Sequence, residues 1–400
     1  MSNLKKNYKK GTRKDVIKTL HMTGILPIKA LSMYDTPRTY KDKIREMEKE
    51  KLVCSDRLKL NGHSYRYVYL NDFEKKREEY GDSLPDGFYE SYITYGAEAL
   101  RQARSKGGSA AARAISDSEA FIMMNSAGIA CEPDTKPFLR GKGFIDDVPS
   151  CYFQSKEVKG YTNYRDKANM ETKDGEQIKL VVSSRLTGLL VSRGGVYAVY
   201  NIGSNLSSWR KGRETRIAQH ITFMLRDKMQ NPRDLDTCLI LTDCYGELSR
   251  ALAPATRRDE SAAASFENLS YIYNRIMALP FTATGRRMLE IMKTDRWEDA
   301  IRSTFLAGYT TEDIMYQGVP CDAYKEENGV MTYLMLFCIP DIKKLQKFKK
   351  AAQIAGDKDR YIVACFDFQA ELVSRSSNNA YRVFTANFDG FYGMFKGAEW

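Results

Sequence analysis

The chain has 400 residues, of which 43% are hydrophobic and 28% are charged, and its formal net charge at pH 7 is +11. This length allows two or three domains with a sizeable core, and the composition is that of a globular protein. We expect neither a membrane span, which needs about 18 consecutive apolar residues, nor a signal peptide, because no apolar segment follows the lysine-rich start.

Cysteine and histidine usage argues against a metal centre. The eight cysteines form no C-x-x-C pair, and the three histidines, His21, His63 and His220, lie far apart in the sequence. Structural zinc sites need closely spaced cysteines and histidines. We therefore expect reduced, mostly buried thiols in a cytoplasmic protein, with no metal and no cofactor.

The positive charge is concentrated at the beginning of the chain. Residues 1–70 contain 17 Lys and Arg against 7 Asp and Glu, a net of +10, which leaves +1 for the remaining 330 residues. A DNA phosphate backbone attracts such a segment. Residues 1–12, which include Lys9 and Lys10, are predicted to form a flexible basic arm along phosphates or in a minor groove; a solvated tail is the alternative.

Residues 13–80 are predicted to form a winged-helix DNA-binding domain. The successive segments are the helical runs Arg13–Met22, Pro27–Met33 and Thr36–Lys49 and the strand runs Leu52–Leu60 and Tyr65–Leu70. Between the strand runs, Asn61 and Gly62 favour a tight hairpin turn. Three helices followed by a hairpin is the plan of a winged helix, although such a domain can also serve protein contacts.

The third helical run is predicted to be the DNA-reading helix. Thr36 is placed as its cap and Pro37 as its first helical residue. Tyr40, Ile44 and Met47 recur at helical spacing and should face the core. The outer face and the hairpin then supply the remaining predicted DNA-binding residues, which are Arg38, Thr39, Lys41, Asp42, Arg45, His63 and Arg66.

These residues divide by role. A recognition helix contacts base edges chiefly with its N-terminal residues, so Arg38 and Thr39 are the predicted base contacts. Asp42, one turn later, is expected to hold the Arg38 guanidinium in place, with a simple exposed ion pair as the alternative. Lys41, Arg45 and Arg66 are expected to contact phosphates.

The rest of the chain is predicted to be a connector, residues 81–109, and a mixed α/β domain, residues 110–400. A further division near residues 255–280 is left open. The glycine- and serine-rich stretch 105–109 marks the linker. The predicted elements include a helix at Ala110–Ala127, strands at Ile178–Val182, Ser184–Val191, Val196–Ile202, Cys238–Thr242, Thr332–Ile339 and Tyr361–Phe368, and helices at Glu214–Lys228 and Pro340–Ala355. Strands alternating with helices indicate a layered α/β domain.

This layout resembles the replication-relaxation proteins of bacterial plasmids and integrative mobile elements. The resembling parts are Arg13–Leu70, the helix after Ala110, and Ser184–Leu225, and the likeness is one of layout more than of motif. The resemblance implies a C-terminal domain related to restriction-endonuclease-like folds and binding of an origin of replication or a transfer region, as in plasmid replication, DNA relaxation or conjugation. Double-stranded DNA is the expected partner. Replication or mobilisation proteins and a second copy of the chain are further candidates.

Nuclease folds of that kind hold Mg²⁺ with an Asp on one strand and Glu-x-Lys on the next. In the predicted hairpin the acid positions are occupied by Thr187, Tyr200 and Asn201, whose side chains cannot replace carboxylates. The domain is therefore predicted to be degenerate, with a role in assembly or partner binding.

Two alternatives stay open. The pattern of an Asp followed by Glu-x-Lys also occurs at Asp146 or Asp147 with Glu157 and Lys159. If these residues form the site, the chain is a metal-dependent nuclease or nickase with Mg²⁺ as its cofactor. The other alternative is a winged-helix transcription regulator whose C-terminal domain senses a ligand or a partner.

Overall fold

The structure is a computed structural model of the chain, and it forms two compact units, Met1–Phe138 and Leu139–Trp400. It describes residues 2–60, 63–71, 108–132, 136, 150–159, 183–203, 209–227, 235–243, 245–254, 256–311 and 318–398. The boundary between the two units lies after residue 138 and not at the predicted linker, residues 105–109. The reason is that the helix following this stretch packs within the first unit.

The first unit combines helices with a three-stranded sheet. In chain order its elements are α1 (Ser2–Thr23), β1 (Leu26–Pro27), a 3-10 helix (Ile28–Met33), α2 (Pro37–Lys49), β2 (Val53–Leu60), β3 (His63–Leu70) and α3 (Gly108–Ser126). The strands are antiparallel in the order β1-β3-β2. The helices and the hairpin thus lie close to where the sequence predicts them, but the middle helix is a 3-10 helix, and the short strand β1 was not predicted and takes Pro27 from the predicted helical run. Residues 2–12 continue α1, where the sequence predicted a flexible arm.

Apolar side chains from the helices form the core of this unit. Val16, Leu20 and Leu31 are buried together with Ile44 and Met47 of α2. The spacing of the two α2 residues therefore places their shared face inward, as the sequence predicted. The first position of that pattern, Tyr40, is only partly buried and stacks on Tyr34 with ring centroids 4.0 Å apart.

Helix α3 covers the face of the β2–β3 hairpin that carries Tyr67. Its residues Ala111, Ala114 and Ile115 pack against Ile25 and Tyr67. Small alanine side chains let the helix approach the strands closely. The Ser118 hydroxyl, also on α3, donates a hydrogen bond of 2.7 Å to the Ile25 carbonyl. The helix therefore belongs to the basic first unit and not to the domain that the sequence predicted for it.

The second unit is built on two sheets. Its strands are β4 (Cys151–Gln154), β5 (Gly188–Ser192), β6 (Gly195–Gly203), β7 (Thr237–Thr242), β8 (Arg275–Pro280), β9 (Ala323–Glu327), β10 (Val330–Leu336), β11 (Tyr361–Phe366) and β12 (Arg382–Ala386). Its helices are α4 (Lys211–Asp227), α5 (Gly246–Leu252), α6 (Arg257–Ser270), α7 (Ala283–Met292), α8 (Trp297–Phe305), α9 (Ile342–Ala355), α10 (Ala370–Ser377) and α11 (Phe388–Gly397). The chain is therefore of mixed α and β structure, as predicted.

The larger sheet has the order β4-β5-β6-β7-β8. Strands β4, β5 and β6 are antiparallel, whereas β6, β7 and β8 are parallel. The predicted hairpin is β5 and β6, with its tip at Arg193 and Gly194. The predicted strand Ile178–Val182 lies outside the described residues. The smaller sheet has the order β12-β11-β10-β9, with β9 antiparallel and the other pairs parallel.

A buried carboxylate joins elements around the smaller sheet. Asp322 is 3% exposed, and its Oδ1 lies 2.7 Å from Arg302 Nη1 and 2.6 Å from Lys344 Nζ. Its second oxygen accepts the backbone N–H of Leu336 at 2.9 Å. The two cations and the amide compensate for burying the charge, so the ends of α8 and α9 are held to the sheet. Over the described residues, every helix is too short or too polar to cross a membrane.

Candidate nucleic-acid interface

The outward face of α2 carries the side chains predicted to contact DNA. Arg38, Lys41, Asp42 and Arg45 are exposed, and Thr39 is partly exposed. Residues three or four positions apart share one side of a helix. Ile44 and Met47 occupy the buried side of α2, and the exposed residues lie on the opposite side. The sequence therefore placed these side chains on the correct face.

The start of α2 differs in detail from the prediction. Proline 37 is the first helical residue, as expected, and Thr36 is at the cap position. The Thr36 hydroxyl makes no capping hydrogen bond, and its carbonyl instead accepts the backbone N–H of Thr39 at 3.1 Å. The helix start is therefore set by the proline and the backbone and not by the hydroxyl.

The ion pairs on this face also differ from the prediction. Asp42 Oδ1 lies 3.1 Å from Arg45 Nη1, so Asp42 holds Arg45 and not Arg38. Lys43 pairs with Glu46 on the adjacent side. Within the described part of the chain, Arg38 and Lys41 have no hydrogen-bonding or ion-pairing partner, which leaves their donors directed to solvent.

The hairpin adds a second basic surface next to α2. The register pairs Val53 with Leu70 and Arg57 with Arg66. Directly opposed residues project from the same face of an antiparallel pair. This face is therefore apolar at its base, where Val53 and Leu70 are buried, and basic towards its tip, where both arginines are exposed.

Arg66 connects the hairpin to α2. Its Nη2 lies 3.3 Å from Glu48 Oε1 and 3.3 Å from Ser55 Oγ. Sequence reasoning identified Arg66 but missed Arg57, although strand alternation and a two-residue turn would have placed Arg57 opposite it. Like charges on opposed positions repel each other, so this pair is suited to an anion lying between them.

Three predicted DNA-binding side chains cannot be placed. The backbone of Lys9 and Lys10 is helical and that of His63 begins β3. Their side chains lie outside the described part of the structure, as do Asn61 and Gly62. The register nevertheless pairs Leu60 with His63, which agrees with the tight connection expected from the sequence.

The two described residues of the nuclease alternative, Glu157 and Lys159, do not lie on a strand. Asp146 and Asp147 lie outside the described residues. Glu157 and Lys159 belong to a helical segment, residues 155–159, directly after β4. Glu157 Oε2 accepts the backbone N–H of Gln154 at 2.7 Å, and buried Lys159 donates to the Ser184 carbonyl at 3.1 Å. Within the described residues, no group of three metal-ligating side chains is found.

The hairpin positions where a nuclease would carry acids are occupied by a buried hydrogen-bonded cluster. The Thr187 hydroxyl accepts the Asn201 backbone N–H at 2.9 Å. The Tyr200 hydroxyl donates to Glu214 Oε2 at 3.0 Å and lies 3.0 Å from the Tyr273 hydroxyl. Since Tyr200 gives its single proton to the carboxylate, Tyr273 is the donor between the two tyrosines.

Glu214, at the start of α4, was missed as a site residue by sequence reasoning. It is fully buried, and its other oxygen accepts the Arg185 backbone N–H at 3.0 Å. Burial raises the pKa of Glu214, while the bonds from Arg185 and Tyr200 act in the opposite direction. This buried carboxylate ties α4 to the sheet, and among the described residues it belongs to no group of three metal-ligating side chains.

The comparisons with known proteins give no further assignment. Protein-family models, curated proteins and solved structures were each compared with the chain, and none matches.

Proposed function

We propose that the chain is a DNA-binding protein of a mobile genetic element and that residues 13–70 act as a winged helix on double-stranded DNA. The observation that supports this most directly is the surface formed by α2 and the adjoining hairpin face. Arg38 and Lys41 are exposed on α2, and Arg57 and Arg66 are exposed on the hairpin. A helix beside a basic wing suits base edges and flanking phosphates together.

The remaining parts of the proposal have different support. The segregation of nearly all excess positive charge into residues 1–70 favours nucleic acid over protein as the partner of this surface. An origin of replication or a transfer region as the binding site, and replication or mobilisation proteins as partners, rest on the resemblance in layout. Under the same proposal the second unit serves assembly or partner binding and has a degenerate nuclease-like character.

The experiment compares alanine variants on two kinds of duplex. A specific site is first selected from a random duplex library with the full chain. Arg38→Ala should lose about 1–3 kcal/mol on that site and little on random DNA, because a base contact is sequence-dependent. Lys41→Ala should weaken both and reduce the salt slope by about one, as loss of a phosphate contact does.

Lys350→Ala is the matched control, since Lys350 is an exposed lysine on α9 of the second unit. It should leave both affinities unchanged. Equal losses on specific and random DNA in Arg38→Ala would show that α2 is not the reading helix. A full chain that binds no duplex at any salt concentration would refute the proposal as a whole.

A further inference from the structure

A surface groove on the second unit lies outside the proposed duplex-binding surface. It has a volume of about 730 Å³ and is lined by Gln219, Phe223 and Arg226 of α4 and by Leu235 and Tyr271. Tyr271 directly follows α6, so two helices supply the walls. This volume falls in the range of sites that hold small molecules or single chemical units of a polymer.

The groove exposes two aromatic rings. Phe223 is 46% exposed and Tyr271 is 65% exposed. On α4 the residues Ile217, Ile221 and Met224 form the buried face, and Phe223 lies on the outward face with Gln219 four positions earlier. Part of each ring therefore stays in contact with water, which forgoes some of the free energy that burial would provide, and clustered exposed apolar groups commonly mark binding sites.

Cations lie beside the rings. Lys211 Nζ is 4.6 Å from the centroid of the Tyr271 ring, and Arg226 forms part of the groove wall. Arg216, also exposed on α4, donates from Nη1 to Gln219 Oε1 at 3.1 Å. The neighbouring acid, Glu267, accepts the Tyr271 hydroxyl at 3.2 Å. Among these described side chains, three are basic and one is acidic.

We propose that this groove binds single-stranded nucleic acid, with Phe223 and Tyr271 stacking on bases and with Lys211 and Arg226 contacting phosphates. Exposed rings beside cations are the combination that single-strand sites use, because every base presents a flat face and every nucleotide a phosphate. Bases within a duplex are already stacked on one another and cannot cover the rings. The ligand is thus distinguished from the duplex proposed for the first unit.

The test uses the full chain and a labelled oligothymidine of about 15 nucleotides, a length within the span of single-strand sites. Phe223→Ala and Tyr271→Ala should each weaken binding about 5- to 150-fold, since one stacked base contributes that factor. Tyr271→Phe keeps the ring and should retain binding. Phe384→Ala is the matched control, because Phe384 is a similarly exposed ring, 58% exposed, on β12.

An abasic oligonucleotide of the same length separates stacking from charge. The wild-type chain should bind it more weakly than oligothymidine, and Arg226→Gln should weaken binding to both. A thermal unfolding midpoint equal to that of the wild-type chain shows that each ring variant retains the fold. The proposal is overturned if oligothymidine does not bind, if the abasic strand binds equally well, or if neither ring variant differs from Phe384→Ala.

The two DNA proposals can fail separately. Arg38→Ala should leave oligothymidine binding unchanged, and Phe223→Ala should leave duplex binding unchanged, because the altered residues belong to different units. If Phe223→Ala reduces only duplex binding, the groove is not a single-strand site. Loss of duplex binding in Arg38→Ala with oligothymidine binding intact supports both proposals.

Discussion

At the scale of single residues, local ion pairs decide which of the exposed basic side chains on α2 and the hairpin already have an acidic partner. All four are exposed, but Arg45 pairs with Asp42 and Arg66 with Glu48, whereas Arg38 and Lys41 form no ion pair within the described residues. Exposed ion pairs contribute at most about 1 kcal/mol. A phosphate could therefore replace Glu48 as the partner of Arg66 at little expense, and the sequence prediction of a phosphate contact is compatible with the observed pair.

His21 is expected to make the stability of the chain depend on pH. It is 4% exposed, and burial lowers its pKa to about 4. An unfolded histidine has a pKa near 6.5 and binds a proton between these values while the folded one does not. The free energy of unfolding should therefore fall as the pH drops from about 6.5 towards 4, by up to about 3 kcal/mol.

Urea unfolding at pH 7.5 and at pH 5 measures this effect. The wild-type chain should lose about 2 kcal/mol between the two pH values through His21. His21→Gln has no titrating group there and should show a smaller loss, whatever its stability at pH 7.5. If the free energy of unfolding falls equally in the two proteins, His21 already binds its proton in the folded state at pH 5, and its pKa is not lowered by burial.

At the scale of elements, α3 completes the first unit. It covers Ile25 and Tyr67, which a fragment ending at residue 80 would expose to water. Fragment 1–138 should therefore be more stable than fragment 1–80 by about 2 kcal/mol or more, because burying one large apolar side chain contributes about 1.5–3 kcal/mol. Urea midpoints of the two fragments measure the difference.

A point substitution tests the same contact within fragment 1–138. Ser118→Ala removes the hydrogen bond to the Ile25 carbonyl and should lower stability by about 1 kcal/mol. Ser32→Ala is the control, since its exposed hydroxyl bonds only to the nearby Lys29 carbonyl. Equal midpoints for fragments 1–80 and 1–138 would place α3 outside the folding unit.

At the scale of the whole molecule, the second unit is expected not to cleave DNA. Glu157 and Lys159 are engaged with backbone groups and occupy one short helical segment. Thr187 and Tyr200 form buried hydrogen bonds where acids would be needed. A metal-dependent nuclease of the predicted kind requires carboxylates directed at a shared cation. Supercoiled plasmid incubated with the full chain and Mg²⁺ or Mn²⁺ should therefore remain intact.

Two variants make this outcome specific to the site. Glu326→Ala is the control, because Glu326 is an exposed acid on β9. Cleavage that disappears in Glu157→Ala but persists in Glu326→Ala would contradict the expectation. It would also favour the nuclease alternative. Cleavage that both variants retain would instead point to residues other than the predicted set.

Local pattern determined much of the first unit. The 3.6-residue spacing of Ile44 and Met47 oriented α2, and an Asn-Gly pair between two apolar runs located the hairpin. The charge excess of residues 1–70 indicated the surface that we propose to bind DNA. Such features can be predicted because each depends on residues that are close in sequence, where helix and strand periods decide which side chains share a face.

Tertiary structure decided the features that join distant segments. It placed α3 on the hairpin, brought Tyr200 within 3.0 Å of Tyr273, and set Phe223 beside Tyr271 in one groove. Helical period can assign Phe223 to the outer face of α4, but it cannot tell whether another element covers that face. The predicted Arg38–Asp42 pair shows the same limit at short range, since Arg45 lay within reach of Asp42 too. Periodicity assigns a face, and only the packing of the folded chain selects the partner.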